Sequence, residues 1–511
     1  MNDLLPPTAS GPPEALPSAP RPSSRNASVR RGGAGWSWLG VAALAMALTA
    51  GVAALRLTVH RQAQRGQSVG ATPVSLASPA GESDALILYT VAPGDTLSGI
   101  AIRHGLSPEN LMDLNGLTDP DSLQVGQVIH IHLAPERDGP ATPIVPDSEL
   151  VRGPAYLGFD IRDFLSGLGS PLLDYSETVE GVTMDGAVMV ERISRQFSVG
   201  PRVLLAFLEA RSGQVSGRMP LVTLDSYPAG MEDSTRAGLW RQLNWLADRL
   251  NGAYYDLRTR RNRVMTLRDG LRLGAPEGLN AGSFAVDRVL GLLSTEAELA
   301  GAQAGFEAAY AGLFGDPWSG ARPALDLATL TFPALTLPWP VGDTWWMTGG
   351  PHGGWANGSA WAALDFVPDE EARGCAVSSA WVTAVGDGVV LEGETGQLFL
   401  DLDGDGMRET GPVVMYLHLA ADGRAAPGSR SRAGDRLGHP SCEGGVSTAS
   451  HLHIARLYDG EWLAAGGDPP FALGRWTAWG SPTVYDGGLQ SSDGIRREAC
   501  ECRLPDTNAI R

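Results

Sequence analysis

The chain has 511 residues, too many for one hydrophobic core, so about three or four folded units are expected. Its net charge of −18 argues against a nucleic acid or other polyanion held by bulk electrostatics. The 65 glycines and 36 prolines imply long loops and linkers between the units.

Residues 1–35 form a Pro/Ser/Arg-rich tail. The next stretch, "WSWLGVAALAMALTAGVAAL" (36–55), carries no charge, and roughly 20 such residues suffice to cross a bilayer as a helix. Trp36 and Trp38 stand where interfacial rings belong. Arg21, Arg25, Arg30 and Arg31 precede it and Arg56, Arg61 and Arg65 follow, so the positive-inside rule gives no orientation. The downstream domains do, and they are placed outside the cell membrane. A signal peptide cleaved within 49–54, giving a secreted protein, competes with the single-pass transmembrane anchor; the long apolar core favours the anchor. Residues 62–85 are small and polar, a flexible linker.

Order is expected from residue 86. A short strand at "YTV" leads to a helix at "GDTLSGIA", with Leu97, Ile100 and Ala101 at helical spacing and Gly105 placed to stop it. Ser107 caps a second helix, with Pro108 at its first position and Leu111 and Leu114 following. The strand "QVIHIH" closes a β-α-α-β unit over 86–133. The wording "YTVAPGDTLSGIA…NLMDLNGL…LQVGQVIHI" closely resembles a LysM module, which implies binding to N-acetylglucosamine-containing glycans such as peptidoglycan. His130 and His132 share a face through strand alternation alone. No Asp, Cys or further His is arranged around them, so they read as strand residues.

A Pro-rich linker (134–149) leads to a mainly α-helical domain over 150–330. "MVERISRQFSVGPRVLLAFLEARSG" (189–213) and "GLWRQLNWLADRLNGAYYDLRTRR" (238–261) both carry apolar residues at 3–4 spacing. The first weakly resembles the helix that bears the catalytic acid in lysozyme-like lytic transglycosylases. That family places the acid directly before a serine; here Arg211 precedes Ser212, and Glu209 lies two residues earlier. Glycosidic cleavage needs a carboxylic acid aimed at the bridging oxygen. The expectation is a helical spacer or glycan-contacting domain without catalysis.

From about 331 to 482 short β-rich runs are broken by glycine. Three histidine stations occur: "GGPHGGWANGSAWAALDFVP" (349–368), "VVMYLHLAADG" (413–423) and "STASHLHIAR" (447–456). In this order, with "VTAVGDGVV" (382–390) and "APGSRSRAGDRLGHPSCEGGVSTASHLH" (426–453) around them, they resemble the lysostaphin/LytM class of zinc metallopeptidases. The resemblance implies a mainly antiparallel β domain whose zinc ligands are His352, Asp365 and His453. It also implies His418 as general base and His451 reaching the water or the substrate oxyanion. A catalytic zinc takes three protein ligands and leaves a fourth place open.

Two departures stand out. Twelve residues separate His352 from Asp365 where the family usually has three, so "GGWANGSAW" must loop out if both are to serve; Asp369 is the next acid along. Ala449 stands where a glycine is usual. His439 has no family role and is expected at the surface, and residues 483–511 are expected to be a C-terminal tail.

"FLDLDGDGMRETGP" (399–412) resembles the first half of a calcium loop through Asp401, Asp403 and Asp405. Pro412, however, occupies the position of the final bidentate Glu, so Ca2+ is at most a stabiliser. Of the four cysteines, Cys375 with Cys442 is the preferred disulfide because both fall in one domain; Cys500 and Cys502 pair or stay free.

The functional expectation is a membrane-anchored zinc endopeptidase that cuts peptide bonds of peptidoglycan and is held to the glycan by LysM. The competing expectation is a LytM-type scaffold without activity that binds peptidoglycan and activates a separate amidase. A passive glycan binder would leave the ordered histidines unexplained.

Overall fold

A computed structural model of the chain describes residues 86–132 in part and 141–511 nearly throughout, with 219–223, 225, 260–261, 371–373 and 482 left out. The proposed anchor at 36–55, the tail before it and the linker at 62–85 lie outside the described residues. Among the described residues no helix is long and apolar enough to cross a membrane.

The first unit pairs β1 (Leu86–Thr90) antiparallel with β2 (Val128–His132), and α1 (Leu97–Arg103) packs on them. Its start is fixed by Thr96, whose hydroxyl accepts the Gly99 amide. Leu97, Ile100, Ala101, Leu111, Ile129 and Ile131 form a core of its own. Gly105 and the Ser107 cap lie outside the described residues.

The helical unit starts earlier than the linker assignment allowed. Ile144 and Val145 are buried, and their amides donate to the Ser283 hydroxyl, so residues 141–149 belong to the helical core. Its helices are α2 (Asp147–Leu150), α3 (Ile161–Leu168), α4 (Gly186–Phe197), α5 (Pro201–Ser212), α6 (Leu239–Arg258), α7 (Ala281–Leu292) and α8 (Glu296–Phe314). The run at 189–213 is therefore two helices. Ser198, at φ 54°, ends α4, and Pro201 opens α5 with the fixed φ that suits a first turn. Asp160 and Asp185 cap α3 and α4, and a Thr295/Glu298 capping box starts α8. Two small hairpins complete this unit: β3 (Ser176–Val179) with β4 (Val182–Asp185), and β5 (Val264–Thr266) with β6 (Arg272–Gly274).

The third unit is built on an antiparallel sheet. Its strands are β7 (Trp345–His352), β8 (Ala363–Pro368), β10 (Gly388–Leu391), β11 (Leu398–Asp401), β12 (Pro412–Leu417), β13 (Arg430–Ser431), β15 (Leu452–Tyr458), β16 (Glu461–Trp462) and β21 (Ala509–Ile510). They run in the order β13-β10-β11-β12-β15-β8-β7-β21, with β16 folded back on β15. A small pair joins β9 (Val382–Thr383) to β14 (Arg436–Gly438). A four-stranded sheet joins β17 (Ala472–Leu473), β18 (Trp476–Gly480), β19 (Gly487–Ser491) and β20 (Arg496–Glu498). Residues 483–511 are thus part of the fold and not a tail: Leu489 and Ile510 are fully buried, and β21 pairs with β7.

Strand alternation splits the sheet into two faces. Leu364, Phe366, Val414, Tyr416, Leu452 and Ile454 point into the unit's own core. Ala363, Val413, Met415, Leu417, Ala455 and Leu457 point the other way and join the core of the helical unit. Polar contacts seal this junction. Arg152 pairs with Glu409 at 3.1 Å and Arg258 with Glu461 at 3.0 Å, and Trp462 Nε1 donates to the Phe197 carbonyl. The approach is close enough that a side chain on Gly460 would sit 2.1 Å from the Arg152 carbonyl oxygen. Helical domain and sheet share one hydrophobic core.

Candidate metal centre

The face shared with the helices also carries the polar residues singled out in the sequence. Asp365 in β8 stands directly across from His453 in β15 and from Gly349 in β7. Directly opposed residues have Cβ atoms about 5 Å apart, so the register alone brings the first two into range. His352 ends β7, opposite Ala363, and of the twelve residues before Asp365 ten form a loop (353–362) while Ala363 and Leu364 already belong to β8. The insertion loops out and leaves both residues in place. Asp369 is engaged elsewhere, accepting from Trp346 Nε1 at 3.2 Å.

The side chains converge tightly. Asp365 Oδ1 lies 3.2 Å from His453 Nδ1 and 3.3 Å from His352 Nε2, and those two nitrogens are 3.0 Å apart. His451 Nε2 is 3.6 Å from the same oxygen. The His418 ring lies 4.4 Å from that of His451, centroid to centroid.

Main-chain carbonyls fix how each ring faces. His352 Nδ1 bonds the Gly350 carbonyl at 2.8 Å, and His418 Nδ1 bonds that of Glu443 at 3.1 Å. His451 Nδ1 bonds the Ala449 carbonyl at 2.8 Å, and His453 Nε2 bonds that of Gly354 at 3.1 Å. A carbonyl only accepts, so in each neutral ring the proton sits on that nitrogen and the other nitrogen presents a lone pair. Those lone pairs, three Nε2 and one Nδ1, belong to the converging side of each ring. Ala449 needs no glycine-only backbone angle to supply its carbonyl; it is absent from the positive-φ residues, whereas His418 is held at φ 65°.

This donor set fits a cation. Asp365 Oδ1 is buried without a hydrogen-bond partner, beside two imidazole lone pairs. Such a cluster is mutually repulsive until a positive charge enters. Two imidazoles and a carboxylate match the ligand chemistry of catalytic zinc. Gly349 makes room, because a Cβ there would lie 2.6 Å from Asp365 Oδ2.

The charges follow the same logic. Burial raises the Asp365 pKa, but facing His352 and His453 outweighs it and holds the carboxyl well below the usual range. Burial disfavours charge on His352, yet Asp365 overcomes this and raises its pKa. Burial, then His451 and His453, push His418 down to about 3. His453 is lowered, chiefly by burial.

Loops finish the cleft. Cys375 and Cys442 are bridged, with Cα atoms 5.3 Å apart. The bridge ties the 374–378 segment to the loop before His451, where Ser450 N also donates to the Gly374 carbonyl. Cys500 is bonded to Cys502. Tyr485 stacks on His352 at 4.3 Å while remaining half exposed at the rim. Nothing in "SPTVYDGG" marked that tyrosine, which reaches the site only because the segment after 482 folds back along β7.

Other singled-out residues lie elsewhere. Asp401, Asp403 and Asp405 gather in the loop after β11, where their oxygens accept loop amides. The residue at its ninth place, Glu409, is already paired with Arg152. Glu209 is buried and accepts from the Ser216 amide and hydroxyl, closing the turn after α5. His130 is exposed in β2 opposite Leu88, and His132 pairs across from Leu86. His439 is not a free surface residue: it packs on Trp381 with ring centres 3.8 Å apart and bonds the Ala380 carbonyl.

Comparison with known proteins agrees with this layout. The LysM domain model matches residues 89–132, and the model for the N-terminal domain of LasA matches 143–328, the helical unit that had looked weakly lysozyme-like. Protease LasA of Pseudomonas aeruginosa is 26% identical over 331 residues, 60% of this chain and 72% of LasA. The N-acetylmuramoyl-L-alanine amidase XlyB of Bacillus subtilis is 51% identical over 43 residues, 8% of this chain and 14% of XlyB. Among solved structures, the M23 metalloprotease pseudoalterin aligns at 22% identity and TM-score 0.27, over 34% of this chain and 96% of pseudoalterin. The family model over the first folded unit, the similarity to LasA and the histidine pattern lead to one conclusion: the chain joins a LysM-like domain to a region similar to Protease LasA that resembles the lysostaphin/LytM peptidases.

Proposed function

We propose that the chain is a zinc-dependent endopeptidase that hydrolyses peptide bonds in peptidoglycan, with His352 Nε2, Asp365 and His453 Nδ1 as metal ligands. The observation that carries this reading is the buried, unpartnered Asp365 Oδ1 between two imidazole nitrogens at 3.2 and 3.3 Å. A zinc ion there would supply Lewis acidity, polarising the scissile carbonyl and acidifying a water. The chain supplies the proton traffic. His418, whose Nδ1 is held by the Glu443 carbonyl, presents Nε2 as an acceptor for the water's proton and would pass it to the leaving amine. His451 presents a second acceptor nitrogen to the cleft and, once protonated, a donor to the oxyanion.

LysM brings the peptidase to its substrate by binding glycan, which raises the local concentration of stem peptides without altering the active site. We place both domains outside the cell membrane, tethered through 36–55. The alternative, an inactive scaffold that activates an amidase, has nothing to favour it while four imidazoles and the carboxylate converge. Metal analysis of the purified chain, with mass spectrometry of muropeptides released from purified peptidoglycan, tests the reading. One zinc per chain and new peptide termini are expected. A metal-free protein, or products cut only at the lactyl–alanine amide, would refute it.

A further inference from the structure

The loop that absorbs the extra residues between His352 and Asp365 is held by the helical domain. Asp248, on the third turn of α6, accepts through Oδ1 from the Gly358 amide at 2.7 Å and the Asn357 amide at 3.1 Å. Its other oxygen faces Arg249 at 3.4 Å. The approach needs glycine: a Cβ on Gly358 would lie 1.8 Å from the Asp248 carbonyl oxygen, and Gly252 on the next turn faces Gly358. At the loop's opposite side Gly354 packs flat on the Trp462 ring, where a Cβ would lie 2.6 Å from the nearest ring atom. The Gly354 carbonyl accepts from His453 Nε2, and this bond makes Nδ1 the nitrogen that faces Asp365.

We propose that Asp248 is a positioning residue for the metal centre: by clamping loop 353–362 it aims the Gly354 carbonyl at His453 and presets that ring for metal. The helical domain is then a working part of the site and not a spacer beside it. The inference rests on the zinc reading above. Orienting partners one step from a metal ligand are worth roughly 10–100-fold in affinity. Asp248 acts through the loop, so about a tenfold loss is expected.

The test uses the full chain. Zinc affinity is measured by competition with a chromogenic chelator for wild type, Asp248→Ala, Asp248→Asn and Arg288→Ala. Asp248→Ala should bind zinc about tenfold more weakly. Asp248→Asn, which keeps an acceptor oxygen, should stay within about twofold of wild type. Arg288→Ala, which breaks a pair with Asp256 in the same domain, should not differ from wild type. Equal affinity for Asp248→Ala and wild type overturns the proposal, as does equal weakening in all three variants. A wild type that binds no zinc removes the metal reading itself and is told apart at once. Should Asp248→Ala fail to fold, amide exchange in wild type still decides: protection of the Asn357 and Gly358 amides supports the clamp, and fast exchange there refutes it.

Discussion

The chain carries two His-x-His strands, and they differ in everything except spacing. In β2, His130 faces solvent and pairs across from Leu88, in a module with its own small core. In β15, His453 pairs across from Asp365 and shares a buried face with His352. Alternation places residues i and i+2 on one side in both. What brings the candidate metal ligands together is the neighbouring strand, together with carbonyls that orient each ring. Local motif is common; the register beside it is what carries chemistry.

The strongest test of that contrast is a pair of substitutions. His453→Ala should lower zinc content, read by plasma mass spectrometry, from one per chain to a small residue and abolish peptidoglycan hydrolysis. His130→Ala should change neither. A zinc loss in the second variant would erase the distinction.

A finer division runs within the second strand's surroundings. His418→Ala should keep its zinc while turnover falls by about 10²–10⁴, the usual worth of a positioned proton carrier. Loss of zinc alongside turnover would make His418 a ligand.

The smallest effect concerns how far the loop between β11 and β12 leans on the helical domain. Burial raises the pKa of Glu409, but Arg152 outweighs this and lowers it below 4.5. A lowered carboxyl pKa stabilises the fold fully above the unfolded value and loses that stability as pH falls through the folded one. The melting temperature should therefore drop as the pH falls through and below the usual carboxylate range, with a share of about 2–4 °C that vanishes in Glu409→Gln. Identical acid limbs in the two proteins would show that the pair contributes nothing.

Much of this was readable from residue order. The three histidine stations and Asp365 were legible through their resemblance to the lysostaphin/LytM pattern, and Leu97, Ile100 and Ala101 gave the first helix. The insertion after His352 was ambiguous, since only the β7–β8 register shows where twelve residues go. Three things were not legible. Residues 141–149 looked like linker because prolines mask Ile144 and Val145, which bury only against a helix far along the chain. Residues 483–511 looked like a tail because β19 to β21 are short and glycine-broken, and their burial depends on β7 and β18. Tyr485 and Asp248 have no local signature; each matters only through a contact with a distant loop or ring.

The pairing of β21 with β7 has a consequence for biosynthesis. The outer edge of the strand that ends in His352 is supplied by Ala509 and Ile510. A ribosome-bound fragment stopping short of them leaves that edge open to stray partners. The sheet that carries His352, Asp365 and His453 is therefore completed after the first folded unit has already emerged.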